Sequence, residues 1–193
     1  SNTTGAINTA LGYQSLYSNT TGNFNIAVGQ QALNSNTTAS RNTAVGYQAG
    51  YSNNTTGANT YLGYQAGYTA NGAANGLTFV GDSAGYSATT GTFNTFVGQS
   101  SGYYITSGAK NTIIGGYTGN NGGLDIRTSS NYIVLSDGDG NPRIWYGAGV
   151  AAINTTSGTF SADLTARYQD GTGSGSLSLA ASSAGAGGAS SIV

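Results

Sequence analysis

One short segment recurs at a fixed spacing along residues 1–119. A clear copy is NTAVGYQA, residues 42–49. The glycine at its centre recurs at steps of 17 residues, with a single step of 18. The seven copies place this glycine at Gly12, Gly29, Gly46, Gly63, Gly81, Gly98 and Gly115. A fixed period of this kind is the signature of a solenoid, in which each repeat forms one coil that stacks on the next.

The four residues before each glycine predict one short strand per coil. They are, in order, an Asn column, a Thr column, a column that is Ala or a larger apolar residue, and an aliphatic column. Successive side chains of a strand point to opposite faces, so alternate columns share a face. No sustained period of 3.6 residues competes with this pattern. The fold class predicted is therefore all-β, an elongated β-solenoid of about seven 17-residue coils.

The composition of the columns suggests which face is internal. The residue immediately before the glycine is aliphatic in every copy, which predicts that the aliphatic and Thr columns line the core. The other face changes from Ala to large apolar residues along the chain, which predicts contact with a neighbouring chain. The alternative is that these side chains lie against solvent or the coil's own loop. The predicted subunit interface consists of Tyr61, Phe79, Phe96 and Ile113.

Two further columns carry predictions. Identical amides in the Asn column, one coil apart, are expected to hydrogen-bond along the stack. The fifth residue after the glycine is tyrosine in five copies, and an outward row of such rings suits contact with a host-surface glycan or protein. The alternative is a stacked ladder that only seals adjacent coils. The predicted receptor-contact row is Tyr17, Tyr51, Tyr68, Tyr86 and Tyr103.

The chain divides into three segments by pattern. Residues 1–119 are the tandem repeats, joined by Asn-Thr-Thr-Gly turns, and the insertion within residues 69–76 predicts a loop irregularity without a break in the stack. Residues 120–147 form a transition segment with a β-hairpin around the Asp-Gly turn at 137–141, in which Leu135 takes the place of the glycine. Residues 148–193 form a non-repeating C-terminal segment, β-rich and then rich in Gly, Ser and Ala, with one further strand predicted at 176–180.

Composition excludes several classes of function. Charged residues are only 6% of the chain and the net charge is −1, so no basic stripe exists for nucleic acid. Cysteine and histidine are absent, which excludes disulfides, thiolate or imidazole metal sites and a Ser-His-Asp triad. The sequence contains no apolar run of about 20 residues, so we predict no membrane insertion. We predict no cofactor, metal or catalytic residue. The chain begins inside a repeat turn without Met, as expected for a piece of a longer protein.

The repeats resemble those of bacteriophage tail fibres and related virion fibres. The resemblance rests on residues 42–49, on NTIIG at 111–115 and on residues 131–141, and it covers about residues 1–147. They are also similar to the head repeats of trimeric autotransporter adhesins, although the coil is longer here. The resemblance implies a homotrimer, of separate coils or interwoven chains, at the virion surface or outside the cell. It implies a structural fibre segment that extends towards and adheres to a host cell surface.

Other functions are weighed against this one. A bacterial trimeric adhesin is the nearest alternative. A glycan-cleaving tailspike needs two carboxylates flanking a bond, and the acidic residues here lie in turns and in the atypical C-terminal part. An ice-binding solenoid is suggested by the Thr column, but ice binding needs a flat face with two Thr per coil, and this column shares a face with the aliphatic column assigned to the core. The turn at 137–141 is either a plain turn or a calcium loop that lacks the usual bidentate Glu.

Overall fold

The computed structural model describes residues 2–71 and 74–153, which form a β-solenoid of about seven coils, as predicted. No helix of this part of the chain could cross a membrane. Each coil contributes one strand of three residues to a continuous sheet. These strands are β1 (Thr9–Leu11), β2 (Ile26–Val28), β3 (Thr43–Val45), β4 (Thr60–Leu62), β5 (Thr78–Val80), β6 (Thr95–Val97) and β7 (Thr112–Ile114).

The strands pair in parallel and in chain order, each with its copy one coil away. Thr43 of β3 pairs with Thr60 of β4, and every column of the repeat is aligned in the same way. Thr60 in turn pairs with Thr78 across the longer step, so the insertion leaves the register unchanged. The prediction of a loop irregularity without a break in the stack is therefore confirmed for the strands on either side of it.

After β7 the period is lost but the sheet continues. Strands β8 (Asn120–Asn121) and β9 (Leu124–Asp125) form a separate two-stranded hairpin. Strand β10 (Ile133–Ser136) then pairs in parallel with β7, and β11 (Pro142–Gly147) and β12 (Val150–Ile153) add antiparallel strands.

The hairpin predicted around residues 137–141 is confirmed as β10–β11. One detail of it was wrong. Leu135 pairs with Ile114, so Leu135 continues the aliphatic column and Ser136 takes the place of the glycine. The predictions for residues 154–193, including the strand at 176–180, lie outside the described residues.

The two faces of the sheet are the reverse of those predicted. Tyr61, Phe79, Phe96 and Ile113 are fully buried within their own chain and form its hydrophobic core with the alanines of the same column. Their burial leaves no surface for a partner, so the subunit-interface assignment of these four residues is wrong. The aliphatic and Thr columns face outward. Alternation correctly identified which columns share a face, but not which face is internal.

The interior of each coil is thin, and side chains from two columns of the repeat fill it. In the first two coils the strand contributes alanine, while Leu16 and Leu33 fill the interior from the fourth position after the glycine. Later coils reverse this arrangement. Phe79 fills the interior from the strand, and a Cβ added to Gly85 would lie 2.4 Å from the Phe79 ring. Large and small residues are therefore exchanged between the two walls of the core.

The central glycine of each repeat is fixed by close approach of the backbone. Gly63 has a φ of 140°, which L side chains rarely adopt, and an added Cβ would lie 2.3 Å from the Gly81 carbonyl oxygen. Its amide donates to the Val45 carbonyl at 2.8 Å. Any side chain at this position would force neighbouring coils apart, which explains why glycine is present in all seven copies.

The Asn column forms a hydrogen-bonded ladder, as predicted. The Asn25 side-chain oxygen accepts from the backbone amide of Asn42 at 2.9 Å. The Asn42 side-chain oxygen accepts from the backbone amide of Asn59 at 3.1 Å. These side chains are buried, so each bond satisfies groups that are shielded from water. Leu77 replaces one member of this ladder but still donates its amide to the Asn59 oxygen at 3.0 Å.

We predict that Tyr61→Phe stabilises the fold. The Tyr61 hydroxyl is the only buried side-chain polar atom of the described residues without a hydrogen-bond partner, and burial raises its pKa. Removing it should raise the free energy of unfolding by about 1–2 kcal/mol. The control is Tyr117→Phe, which removes a 2.8 Å bond to the Leu124 carbonyl and should lower stability. Urea unfolding at matched protein concentration measures both; a loss of stability in Tyr61→Phe would contradict this account.

The exchange between the two core walls predicts a compensating pair. Phe79→Ala should cost about 3–5 kcal/mol by leaving a cavity, and Gly85→Leu should destabilise by collision with the Phe79 ring. The double variant restores the arrangement of the first coils, where Leu16 and Leu33 adopt a similar positive φ. The double variant should lose about 1–3 kcal/mol less stability than the sum of the two single losses. Strict additivity in a double-mutant cycle would show that the two positions do not share one space.

Candidate functional site

The outward face of the sheet carries an unbroken line of aliphatic side chains, here called the aliphatic row. It runs through the seven coils and across β10, β11 and β12, because Leu135 pairs with Ile144 and Ile144 pairs with Ile153. Directly opposed residues of paired strands share a face. The aliphatic row consists of Leu11, Val28, Val45, Leu62, Val80, Val97, Ile114, Leu135, Ile144 and Ile153.

A second outward line lies beside it and is here called the threonine row. It is mostly threonine within the coils and apolar at β10–β12. Its members are Thr9, Ile26, Thr43, Thr60, Thr78, Thr95, Thr112, Ile133, Tyr146 and Ala151. Neither row contains a charged residue, and large members such as Leu62 and Ile114 are about half exposed. Together the rows make a ten-stranded uncharged face with exposed large hydrophobic residues.

The face is long and narrow, and it could supply part of a stable protein interface. Ten strands at ~4.8 Å spacing extend over about 43 Å, and a band about 10 Å wide, the length of a three-residue strand, covers roughly 430 Å². Stable interfaces bury about 800 Å² on each partner. Residues beside the face would supply the rest of such an interface. Soluble monomers rarely expose a contiguous apolar patch of more than a few hundred Å² without a function for it.

Four tyrosines of the predicted receptor-contact row form a continuous ladder. The ring centroids of Tyr51 and Tyr68 lie 5.2 Å apart, those of Tyr68 and Tyr86 5.1 Å, and those of Tyr86 and Tyr103 4.9 Å. Their planes are within 15° of parallel. Partial burial, and then the neighbouring hydroxyls, raise the pKa of Tyr68.

This stacking occupies the faces of the inner rings of the ladder, so a ligand can reach only their edges and hydroxyls. The geometry is that of the alternative interpretation, a ladder that seals adjacent coils. Tyr17 is exposed and is separated from the other four by Asn34 in the second coil. A receptor-contact role for the five tyrosines stays a prediction.

A cleft of about 460 Å³ opens at the end of this ladder, where the repeat meets the segment 120–130. Tyr104 is half exposed, and its ring meets the Tyr103 ring at 77° with centroids 4.9 Å apart. The neighbouring coil and the inserted segment supply the polar walls. The lining residues are Ser87, Tyr104, Thr106, Asp125, Arg127 and Thr128.

An ion pair forms one wall of this cleft. Arg127 donates from Nε to Asp125 Oδ1 at 3.0 Å and from Nη2 to Asp125 Oδ2 at 2.7 Å, and both side chains are half exposed. These hydrogen bonds lower the pKa of Asp125 and raise that of Arg127. Both groups are therefore ionised at neutral pH, and their charges cancel within the cleft.

The turn at residues 137–141 is organised by one carboxylate. Asp137 Oδ1 accepts from the amides of Asn141 at 2.8 Å and Asp139 at 3.1 Å, and Oδ2 accepts from Arg143 Nε at 2.8 Å. The bond from the Asn141 backbone, followed by those from the Arg143 and Asn141 side chains, lowers the pKa of Asp137. A guanidinium occupies the position where a calcium ion would need free oxygen ligands, so the geometry favours the plain-turn interpretation.

The cleft was missed at the level of sequence, although a signal for it exists. The sixth residue after the central glycine is Ser or Thr in the first five copies and tyrosine only at Tyr104. The repeats end at residue 119 in the sequence, but nothing in the sequence places Asp125 and Arg127 beside that ring. The extension of the outward rows into β11 and β12 was also missed, because it required the strand register.

Comparison of the chain with models of protein families, with curated proteins and with solved structures finds no match. The resemblance to fibre repeats therefore remains a resemblance of sequence pattern. The fold itself is established by the solenoid geometry.

Proposed function

We propose that this chain is a structural segment of an extracellular or virion-surface fibre that extends towards a host cell and adheres to it. The observation that carries the proposal is the uncharged outward face of ten strands. It is the reverse of the face that sequence reasoning assigned to subunit contact, but it supports the same kind of partner. A solenoid with this face buried against other copies is a stiff rod, as a fibre requires.

A second copy of the same chain fits this face better than an unrelated protein does. All coils repeat at one strand spacing, so parallel copies carry matching side chains at every level of the rod. The aliphatic row of one copy would lie against that of the next along the whole length. Association of copies would remove exposed side chains such as Leu62, Ile114 and Ile144 from water.

Three copies around an axis parallel to the rod would bring their outward faces together at the centre. Each chain then contacts two neighbours, and closed symmetry prevents further growth sideways. The homotrimer is the arrangement that the fibre and adhesin resemblance implies. The described coils share one core that is built entirely from their own chain, which supports three separate solenoids over interwoven chains.

Leu62→Asp should prevent this assembly. Leu62 lies at the middle of the aliphatic row and is 46% exposed in the single chain, so the coil itself should tolerate the change. In an assembled fibre the introduced carboxylate would be buried without a partner, which is strongly unfavourable. Native mass spectrometry and light scattering should find a trimer for the unmodified chain and a folded monomer for the variant.

The matched control is Thr55→Asp, an exposed turn residue of the same coil that lies off the sheet. It should remain trimeric. A monomeric unmodified chain, or a Leu62→Asp variant as fully assembled as the control, would contradict the proposal. Circular dichroism should first establish that both variants keep the β-solenoid fold.

One observation favours a second function. The threonine row faces outward, which removes one of the two reasons for setting an ice-binding solenoid aside; the lack of a second threonine in each coil remains. The row presents one hydroxyl in six of the seven coils, with Ile26 in the other, and it is flanked by aliphatic side chains rather than by a second threonine. A thermal-hysteresis measurement separates the two functions, because a face buried in a trimer cannot contact ice. Clear hysteresis from a monomer would favour the second function.

A further inference from the structure

Two departures from the repeat meet at one place in the molecule. Tyr104 is the only tyrosine in a column that is Ser or Thr in the first five copies, and the segment 120–130 is the interruption between the coils and β10. Both border the cleft described above. Tyr104 is not needed to continue the stack, and residues 120–125 form the extra hairpin β8–β9. Arg127 does continue it, since the Thr106 amide donates to the Arg127 carbonyl at 2.9 Å. The cleft therefore lies where the molecule departs from its repeat.

The aromatic wall of the cleft is held in place. The Tyr104 amide donates to the Thr118 carbonyl at 2.8 Å, and its ring is braced against Tyr103, the last member of the stacked ladder. The ladder thereby fixes the position of a ring that is itself half exposed. A fixed, exposed aromatic ring binds the apolar C–H surface of a flat ligand at little cost in conformational entropy.

The remaining walls offer both donors and acceptors without net charge. Ser87 and Thr128 each carry a hydroxyl that can donate and accept, and the Thr106 hydroxyl, which donates to the Arg127 carbonyl at 3.4 Å, can still accept. Arg127 uses two of its five N–H donors on Asp125, and the Asp125 oxygens have lone pairs beyond those used by Arg127. A ligand rich in hydroxyl groups matches this mixture, whereas an anion would find the guanidinium already neutralised.

We propose that the cleft lined by Tyr104, Ser87, Thr106, Asp125, Arg127 and Thr128 binds a neutral pyranose unit of a glycan. The sugar ring stacks on Tyr104, and adjacent hydroxyls bond to the Asp125–Arg127 pair and to the three side-chain hydroxyls. A volume of about 460 Å³ lies within the range of sites for small ligands and leaves room for more than one sugar unit.

This inference names a ligand class for the adhesive part of the proposed function and to that extent rests on it. Its chemistry is carried by a single chain, because no residue of the cleft belongs to the aliphatic or threonine row. A trimer would present three such sites and strengthen binding to a dense glycan surface without any new contact. Binding and assembly can therefore fail independently.

The experiment uses saturation-transfer NMR on the full chain with the methyl glycosides of glucose, galactose, mannose and N-acetylglucosamine as probes. Glucuronic and N-acetylneuraminic acid glycosides serve as anionic probes. A shallow site of this size should give a Kd of about 1 mM for its preferred glycoside. Tyr104→Ala should abolish binding, and Tyr104→Phe should retain most of it because the ring remains. Tyr64→Ala, at a similarly exposed ring outside the cleft, should have no effect.

Asp125→Asn tests the role of charge balance, because it leaves the guanidinium unneutralised. It should weaken the neutral glycoside at least fivefold and improve binding of the anionic probes. The Leu62→Asp monomer should bind the neutral glycoside with unchanged Kd, which separates this site from assembly. Absence of saturable binding by all four neutral glycosides, binding that survives Tyr104→Ala, or a preference of the unmodified chain for the anionic probes would each overturn the inference.

Discussion

The contact between the backbones of successive coils at the central glycine is the constraint on which the rest of this structure depends. The Gly63 amide donates to the Val45 carbonyl at 2.8 Å, and a Cβ at Gly63 would lie 2.3 Å from the Gly81 carbonyl oxygen. A side chain there would separate the coils and break the parallel strand pairing next to it. Because the approach recurs at every step, equivalent residues of all coils are brought to the same place around the axis. Ladders of identical side chains follow from that alignment.

These ladders let a thin coil bury polar groups without penalty. Asn42 Oδ1 accepts from the Asn59 backbone amide, and Asn42 Nδ2 donates to Asn25 Oδ1 at 3.1 Å, so the buried amides of this column are hydrogen-bonded from coil to coil except beyond Leu77. Gln48 makes a similar bond to Gln31 at 2.9 Å nearer the surface. The tyrosine ladder adds stacked rings on another side of the coil. Within the described residues, the unpartnered Tyr61 hydroxyl is the exception, at the coil where the core changes from alanine to aromatic residues.

Much of this architecture could be predicted from the sequence, and the part that could not has a definite physical cause. Alternation and the 17-residue period gave the strands, their order and the Asn ladder. They could not show which face is internal, because a strand pattern is symmetric between its two sides. A uniformly aliphatic column has the composition expected of a core, whereas alanine side chains alone are too small to fill one. The deciding information was a reciprocal exchange between the two walls of the core. Ala27 on the strand goes with Leu33 on the other wall, and Phe79 on the strand goes with Gly85, so both walls of the coil have to be compared.

The outward face is maintained where the internal pattern is not, and this argues for a partner. After β7 the period, the turn sequences and the central glycine all disappear, and the strands change from parallel to antiparallel. Leu135, Ile144 and Ile153 nevertheless continue the aliphatic row in register. Stability of the single chain does not require apolar side chains on a solvent face, and polar residues would fit a sheet edge better. A surface that persists through a change of architecture is shaped by what lies against it. Departures such as Tyr104 with the 120–130 segment then mark the places where the rod has a unique site.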